Sequence, residues 1–205
     1  MDKLSKQTAV TFVGLVLLYA LFFVFIDRPI DRYVHAHFTG TGVDTLAVYT
    51  SYLVHGPAVE IGLTLGFIVG VIGIISNEKR NQYWAAYLFS VCISCAIAVV
   101  IGEGLKIVLA RYRPIMLFES GVYGMHFFST KWALNSTPSG HTLRAFSIMT
   151  ALSLLFPRGR IFFLATALLV GISRIELTDH YPSDVLFGAY IGIFSALWTH
   201  KLRNV

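Results

Sequence analysis

Charge is what this sequence has least of. Asp, Glu, Lys and Arg make up 13% of its 205 residues, where soluble domains carry about a quarter. With 56% hydrophobic residues and a mean hydropathy of +0.68, that scarcity excludes an ordinary water-soluble domain. Cysteine is scarcer still, at two residues. Cys92 and Cys95 form a C-x-x-C, yet they sit inside an apolar run, whereas a thiol–disulfide site needs a polar, accessible helix start that favours thiolate. They read as small apolar packing residues and say nothing of the redox compartment. No internal repeat or low-complexity segment is present. The first apolar run follows Lys3 and Lys6, as a secretion signal would, but it is long and ends at Phe25-Ile26-Asp27 without a small-x-small cleavage pattern. It reads as a retained span. The net charge of +5 is modest and the basic residues fall in short loops, so nucleic acid is a poor partner. An anionic partner embedded in lipid fits better, because interfacial cations attract phosphate headgroups.

What is there is apolar length. Runs near residues 8–26, 57–76, 83–102, 142–156, 161–177 and 184–199 predict an all-α bundle of six transmembrane helices in a single domain, residues 1–205. A 19-residue helix rises about 28 Å, enough to cross a hydrocarbon core. The fourth and sixth runs are short and carry polar residues, so neighbouring helices are expected to shield them. Lys3 and Lys6, Lys79 and Arg80, Arg158 and Arg160, and Lys201 and Arg203 fall at alternate ends of successive spans. Six spans put all four pairs on one face, cytoplasmic by the positive-inside rule, with both termini. Gly62, Gly66 and Gly70, and Gly188, Gly192 and Ala196, repeat at four-residue spacing, a pattern for close helix packing within the chain. Residues 27–46 mix charge with apolar side chains and are expected to lie flat at the outer interface. Residues 115–137 form the longest non-spanning stretch, rich in aromatics that serve as interfacial anchors or as a rim over lipid entry.

Three short blocks carry the chemistry: Lys106-x6-Arg113-Pro114, Pro138-Ser139-Gly140-His141, and Ser173-Arg174-x5-His180-x3-Asp184. They bring three cations, two histidines and a carboxylate to one end of the spans. Phosphoryl transfer chiefly requires placing the group and stabilising charge on its non-bridging oxygens, which Lys106, Arg113 and Arg174 can do without a metal. Ser139 is a candidate N-cap, and Gly140 leaves backbone amides unobstructed at a helix start suited to anions. His141 in that first turn is placed to protonate a leaving oxygen. A carboxylate four residues after His180 can accept an imidazole N–H and leave the other nitrogen free to attack.

The order and spacing of these blocks resemble the PAP2 (type 2 phosphatidic acid phosphatase) superfamily, with no departure at any signature position. Eleven fixed residues in three ordered blocks would arise by chance on the order of once in 10^7 such chains. The resemblance implies a PAP2/haloperoxidase-like core of the bacterial integral-membrane branch, since the related vanadium haloperoxidases are soluble. It implies His180 as nucleophile and carrier of a phosphohistidine, Asp184 as its support, and His141 as general acid and then base. It also implies phosphate binding by Lys106, Arg113, Ser139, Gly140 and Arg174, with neither metal nor other cofactor. The expected activity is hydrolysis of a lipid phosphate or diphosphate, with phosphatidylglycerol phosphate, phosphatidate, undecaprenyl diphosphate and lipid A phosphate as candidates. The expected place is the bacterial inner membrane, with the active site on the periplasmic or outer face and no obligate protein partner. Transfer to a lipid hydroxyl instead of water is the alternative, and a non-catalytic lipid-phosphate binder the third reading. Specificity is expected to reside in residues 27–56 and 115–137.

Some charged residues lie outside the signature. Arg111 and Arg144 read equally as snorkelling interfacial cations or as site residues. Glu176 and Asp179 flank the active-site loop and are expected to pair with Arg144, Arg111 or solvent, or more sharply to contact a headgroup or tune His180. Asn135-Ser136-Thr137 matches a glycosylation sequon but adjoins Pro138, which favours a chance match.

Overall fold

The predicted apolar runs all form helices. The computed structural model describes residues 3–52, 56–76 and 78–203; residues 53–55, within one of the two stretches expected to set specificity, lie outside the described residues. The elements are α1 (Lys3–Leu21), α2 (Asp27–His37), α3 (Gly42–Tyr52), α4 (Pro57–Ile74), α5 (Lys79–Leu109), α6 (Pro114–Ser120), α7 (Gly140–Leu155), α8 (Arg160–Glu176) and α9 (Pro182–Arg203). No strand occurs among the described residues, and the one isolated bridge joins Arg111 to Met125. A π-helical turn, Phe22–Ile26, joins α1 directly to α2. By length and composition, four stretches among the described residues can cross a membrane: Leu4–His37, Gly42–Ile74 (which takes in α3 and α4), Lys79–Leu109 and Pro182–Arg203. Helices α7 and α8 have 16 and 17 residues and rise only about 24–26 Å.

The short α7 is central. It packs against α5, α8 and α9, while α4 covers α5, α3 lies on α8, and α1 touches α9. Apolar side chains such as Val10, Leu17, Ile61, Val100, Ile161 and Phe162 face outward, whereas Ser94, Thr142, Ser147 and Ser153 are buried. Lipid tails are as apolar as leucine, so outward leucines cost nothing there and packing falls to small residues. A Cβ on Gly188 would lie 2.7 Å from the Ser139 carbonyl oxygen, and one on Gly192 2.6 Å from the Leu143 oxygen. Both glycines let α9 lie against α7, as the four-residue spacing predicts. On α4 the contact residues are Gly66, Gly70 and Gly73, all facing α5, while Gly62 faces open space. Cys92 and Cys95 are buried free thiols on α5, with Cys92 facing Gly66.

One connecting segment differs from expectation, and another has a part in fixing α5. Helix α2 continues α1 and buries both of its aspartates, Asp27 and Asp31, against the protein rather than lying flat at an interface. Residues 126–129 cap α5: the amides of His126, Phe127, Phe128 and Ser129 donate to the carbonyls of Ala110, Leu109, Val108 and Ile107. Those are the carbonyls a helix end leaves without partners. The segment thereby fixes the end of α5 that carries Lys106.

Candidate active site

The ends of α5, α7, α8 and α9 meet around a cavity of about 400 Å³. Lys106 reaches it from the last turn of α5, and Arg113 from the residue preceding α6. Gly140 and His141 open α7, Arg174 closes α8, and His180 lies in the return loop before α9. All six line the cavity, together with Glu103, Trp132, Arg144 and Asp179. The other two predicted site residues, Ser139 and Asp184, are fully buried beneath it. Residues from three separate blocks thus share one pocket.

His180 is held from behind. Its Nδ1 lies 2.7 Å from the Ser136 carbonyl oxygen. A carbonyl only accepts, so Nδ1 carries the proton and Nε2 keeps its lone pair. The direct partner is therefore Ser136, not Asp184 as the four-residue spacing predicts. Asp184 Oδ2 is 3.9 Å from Nδ1 and instead accepts from Ser136 Oγ at 2.6 Å and the Tyr181 amide at 2.9 Å. Ser136 thus bonds both groups, its hydroxyl to Asp184 and its carbonyl to His180. Burial, then the charges of Arg113, Arg174, Lys106 and His141, hold His180 well below the ordinary histidine pKa. The ring is neutral at pH 7.

The cations are individually oriented. The Lys106 ammonium lies over Gly140, where a Cβ would come within 3.1 Å of Nζ, and it pairs with Glu103 at 2.7 Å. Arg113 stacks over Trp132 at 4.5 Å and donates from Nε to the Trp132 carbonyl at 3.1 Å. Arg174 pairs with Asp179, which is a different partner from Arg144, Arg111 or solvent. Ser139 occupies the N-cap position without a side-chain cap bond; its Oγ accepts from Thr142 Oγ1 at 2.9 Å.

Arg111 is not an interfacial cation. It is fully buried, donating to Asp184 at 2.6 Å, Asp27 at 2.7 Å, Ser183 at 2.6 Å and Tyr123 at 2.8 Å. The rings of Phe23, Tyr123 and Tyr181 surround its guanidinium at 4.7, 5.3 and 4.2 Å. The sequence did hold a signal for this. Tyr19, Phe23, Asp27 and Asp31 recur every four residues, and a charged residue placed on a stripe next to a span is a site candidate.

Lys106, Arg113 and Arg174 thus converge on one pocket beside His141 and His180. The sequence model of the PAP2 superfamily matches residues 84–205. The chain belongs to the PAP2 superfamily. PAP2 relatives include a lipid A 1-phosphatase of Rhizobium johnstonii, 35% identical over 78% of this chain and 63% of that protein. Another lipid A 1-phosphatase, from Rhizobium etli, is 37% identical over 55% of this chain and 47% of its own length. The chain thus spans about half to two thirds of these curated relatives. A bacitracin transport permease protein, BcrC, of Bacillus licheniformis is 46% identical over 67% of this chain and 64% of its own. Among solved structures, Aquifex aeolicus LpxE aligns over 86% of this chain and 95% of its own, with a TM-score of 0.64 at 24% identity, and a transmembrane PAP2 type phosphatidylglycerolphosphate phosphatase from Bacillus subtilis aligns over 96% of each chain, with a TM-score of 0.60 at 19% identity. The likeness shows a shared fold, and with its long apolar helices the chain is an integral membrane protein.

Proposed function

We propose that this PAP2 protein hydrolyses a phosphate or diphosphate ester of a membrane lipid through a phosphohistidine on His180. The observation that carries the reading is the Nδ1–Ser136 bond, which leaves Nε2 unprotonated in a pocket lined by Lys106, Arg113 and Arg174. Nε2 donates its lone pair to phosphorus as the ester P–O bond breaks, and the leaving oxygen takes a proton from His141. Water then attacks phosphorus while His141 takes its proton. The N–P bond breaks and its electron pair returns to Nε2. The three cations and the Gly140 amide stabilise charge on the non-bridging oxygens throughout. The lipid A 1-phosphatase relatives, and an undecaprenyl-diphosphatase of Sulfolobus acidocaldarius 35% identical over 55% of this chain, support a lipid phosphate or diphosphate as substrate class.

The same reading places the pocket at the outer face. Lys79 and Arg80 start α5, Arg158 lies between α7 and α8 while Arg160 starts α8, and Lys201 and Arg203 end α9. These basic pairs all lie at helix ends away from the pocket, and the positive-inside rule assigns them to the cytoplasm. The test is phosphate release in liposomes with EDTA, from phosphatidate, phosphatidylglycerol phosphate, undecaprenyl diphosphate and lipid A phosphate. Release that His180→Ala abolishes is the expected result. Release surviving in His180→Ala would overturn the mechanism.

A further inference from the structure

We propose that the first span is part of the catalytic apparatus: Asp27, acting through Arg111 and Asp184, is a positioning residue for His180. The proposal rests on His180 being the nucleophile. Asp27 lies outside the residues matched by the PAP2 model, 84–205, and no signature block contains it, yet it is fully buried behind the pocket.

The connection is continuous. Asp27 Oδ2 takes Arg111 Nη2 at 2.7 Å, and Arg111 Nη1 reaches Asp184 Oδ1 at 2.6 Å. Asp184 Oδ2 holds Ser136 Oγ, and the Ser136 carbonyl holds His180 Nδ1. Asp27 also binds the chain just before Asp184: the Ser183 amide donates to Oδ1 at 3.0 Å and the Ser183 hydroxyl to Oδ2 at 2.5 Å. One carboxylate thus fixes both the guanidinium that orients Asp184 and the backbone that carries it. Two carboxylates share one guanidinium, so the assembly also sets negative charge behind a ring that gains positive character as Nε2 bonds to phosphorus.

The π-helical turn explains how α1 reaches the cluster. Its extra residue re-registers the helix, and such turns recur at functional sites. Here it leaves the Phe23 carbonyl to accept Tyr123 Oη at 2.5 Å and begins α2 with Asp27. The neighbouring Asp31 is equally buried, yet both its oxygens lack a hydrogen-bond partner among the described residues. Burial alone therefore does not define the role; the bonds do.

The test uses the full chain in liposomes with whichever of the four lipids the wild type hydrolyses fastest, and inorganic phosphate as competing ligand. Asp27→Asn keeps the shape and removes the charge. Its kcat should fall about tenfold or more, while the inhibition constant of inorganic phosphate stays within about twofold. A loosened nucleophile affects turnover, whereas a damaged fold weakens phosphate binding as well. Ser183→Ala, a milder change in the same network, should lower kcat a few-fold with the same unchanged inhibition constant, and covers the case in which Asp27→Asn does not fold. Asp31→Asn should turn over like the wild type. The proposal is overturned if Asp27→Asn or Ser183→Ala keeps wild-type kcat, if kcat and phosphate binding fall together, or if Asp31→Asn loses as much as Asp27→Asn. An active His180→Ala would sink the nucleophile assignment itself, and so separates the two failures.

Discussion

Adding a single methyl group at Gly188 tests whether the contact between α7 and α9 sets the geometry of the pocket. The Cβ of Gly188→Ala would lie 2.7 Å from the Ser139 carbonyl oxygen, 3.3 Å from Thr142 Cβ and 3.4 Å from the Leu143 amide nitrogen. Ordinary contact begins at 3.4 Å, so α9 and the start of α7 must separate by about 3.4 − 2.7 = 0.7 Å. The obstruction is backbone on a buried helix and cannot rotate away. Overpacking of this kind costs about 1–3 kcal/mol. The displacement falls between Gly140 and Asp184, whose carbonyl takes the Ser139 amide at 3.1 Å, so it also moves the anion-binding amides relative to His180. Since a misplacement of about 1 Å can cost on the order of 100-fold in rate, kcat/KM should fall about tenfold. Gly192→Ala meets the Leu143 oxygen at 2.6 Å and the Ser147 amide at 2.7 Å, one turn further from the site. It should lower stability at least as much and kcat/KM less. Gly62→Ala, with nothing within 4 Å, should gain about 0.5–1 kcal/mol from helix propensity. The measurements are thermal unfolding in detergent and lipid turnover for all three. Wild-type melting and kcat/KM in Gly188→Ala would refute the argument.

Four further predictions concern the pocket. Because burial and the surrounding cations hold the His180 pKa down, the acid limb of kcat/KM should lie well below pH 6.5, and Arg113→Met should move it upward; a limb centred at 6.5 or above in the wild type contradicts this. The same depression makes the unfolded chain bind a proton that the folded chain refuses, so below about pH 6.5 stability should fall with pH as this group contributes. Trp132→Ala removes the ring under Arg113, a contact worth about 0.5–1 kcal/mol at an exposed site, and should weaken inorganic phosphate two- to fivefold; unchanged inhibition would reject the contact. Asp179→Asn frees Arg174 from its carboxylate partner and should tighten phosphate inhibition, whereas weaker inhibition would mean that Asp179 holds Arg174 in place.

Spans and signature blocks were legible in the sequence because both are local. An apolar run of helical length needs no partner to be recognised, and Pro138-Ser139-Gly140-His141 keeps its spacing wherever it folds. The misreadings concern partners. For Asp179 the sequence suggests Arg144, Arg111 or solvent, and the partner is Arg174; for Asp184 it suggests the imidazole, and the partners are Ser136 and Arg111. Each choice depends on where two loops meet, and no periodicity encodes that. The π-turn was hidden for a related reason, since one inserted residue leaves an apolar run as apolar as before while turning Asp27 toward a guanidinium 84 positions away in sequence.

That concealment follows from the solvent. In water, a core of buried leucine would fix the arrangement of the helices, and a stray buried charge would be a defect. In lipid, the outward leucines of α1 and α4 say little about which helix lies beside which. The arrangement then rests on close glycine contacts and on polar bonds whose rupture leaves a charge unpaired. Removing one member of a buried ion pair costs about 3–5 kcal/mol, comparable with the stability of a small domain. The Asp27–Arg111–Asp184 cluster can therefore do two jobs with one set of bonds: it ties the first span to the start of α9, and it fixes the chain behind His180, the nucleophile proposed above. On that proposal, pocket geometry and helix assembly share residues because, inside a membrane, few other groups are specific enough to provide either.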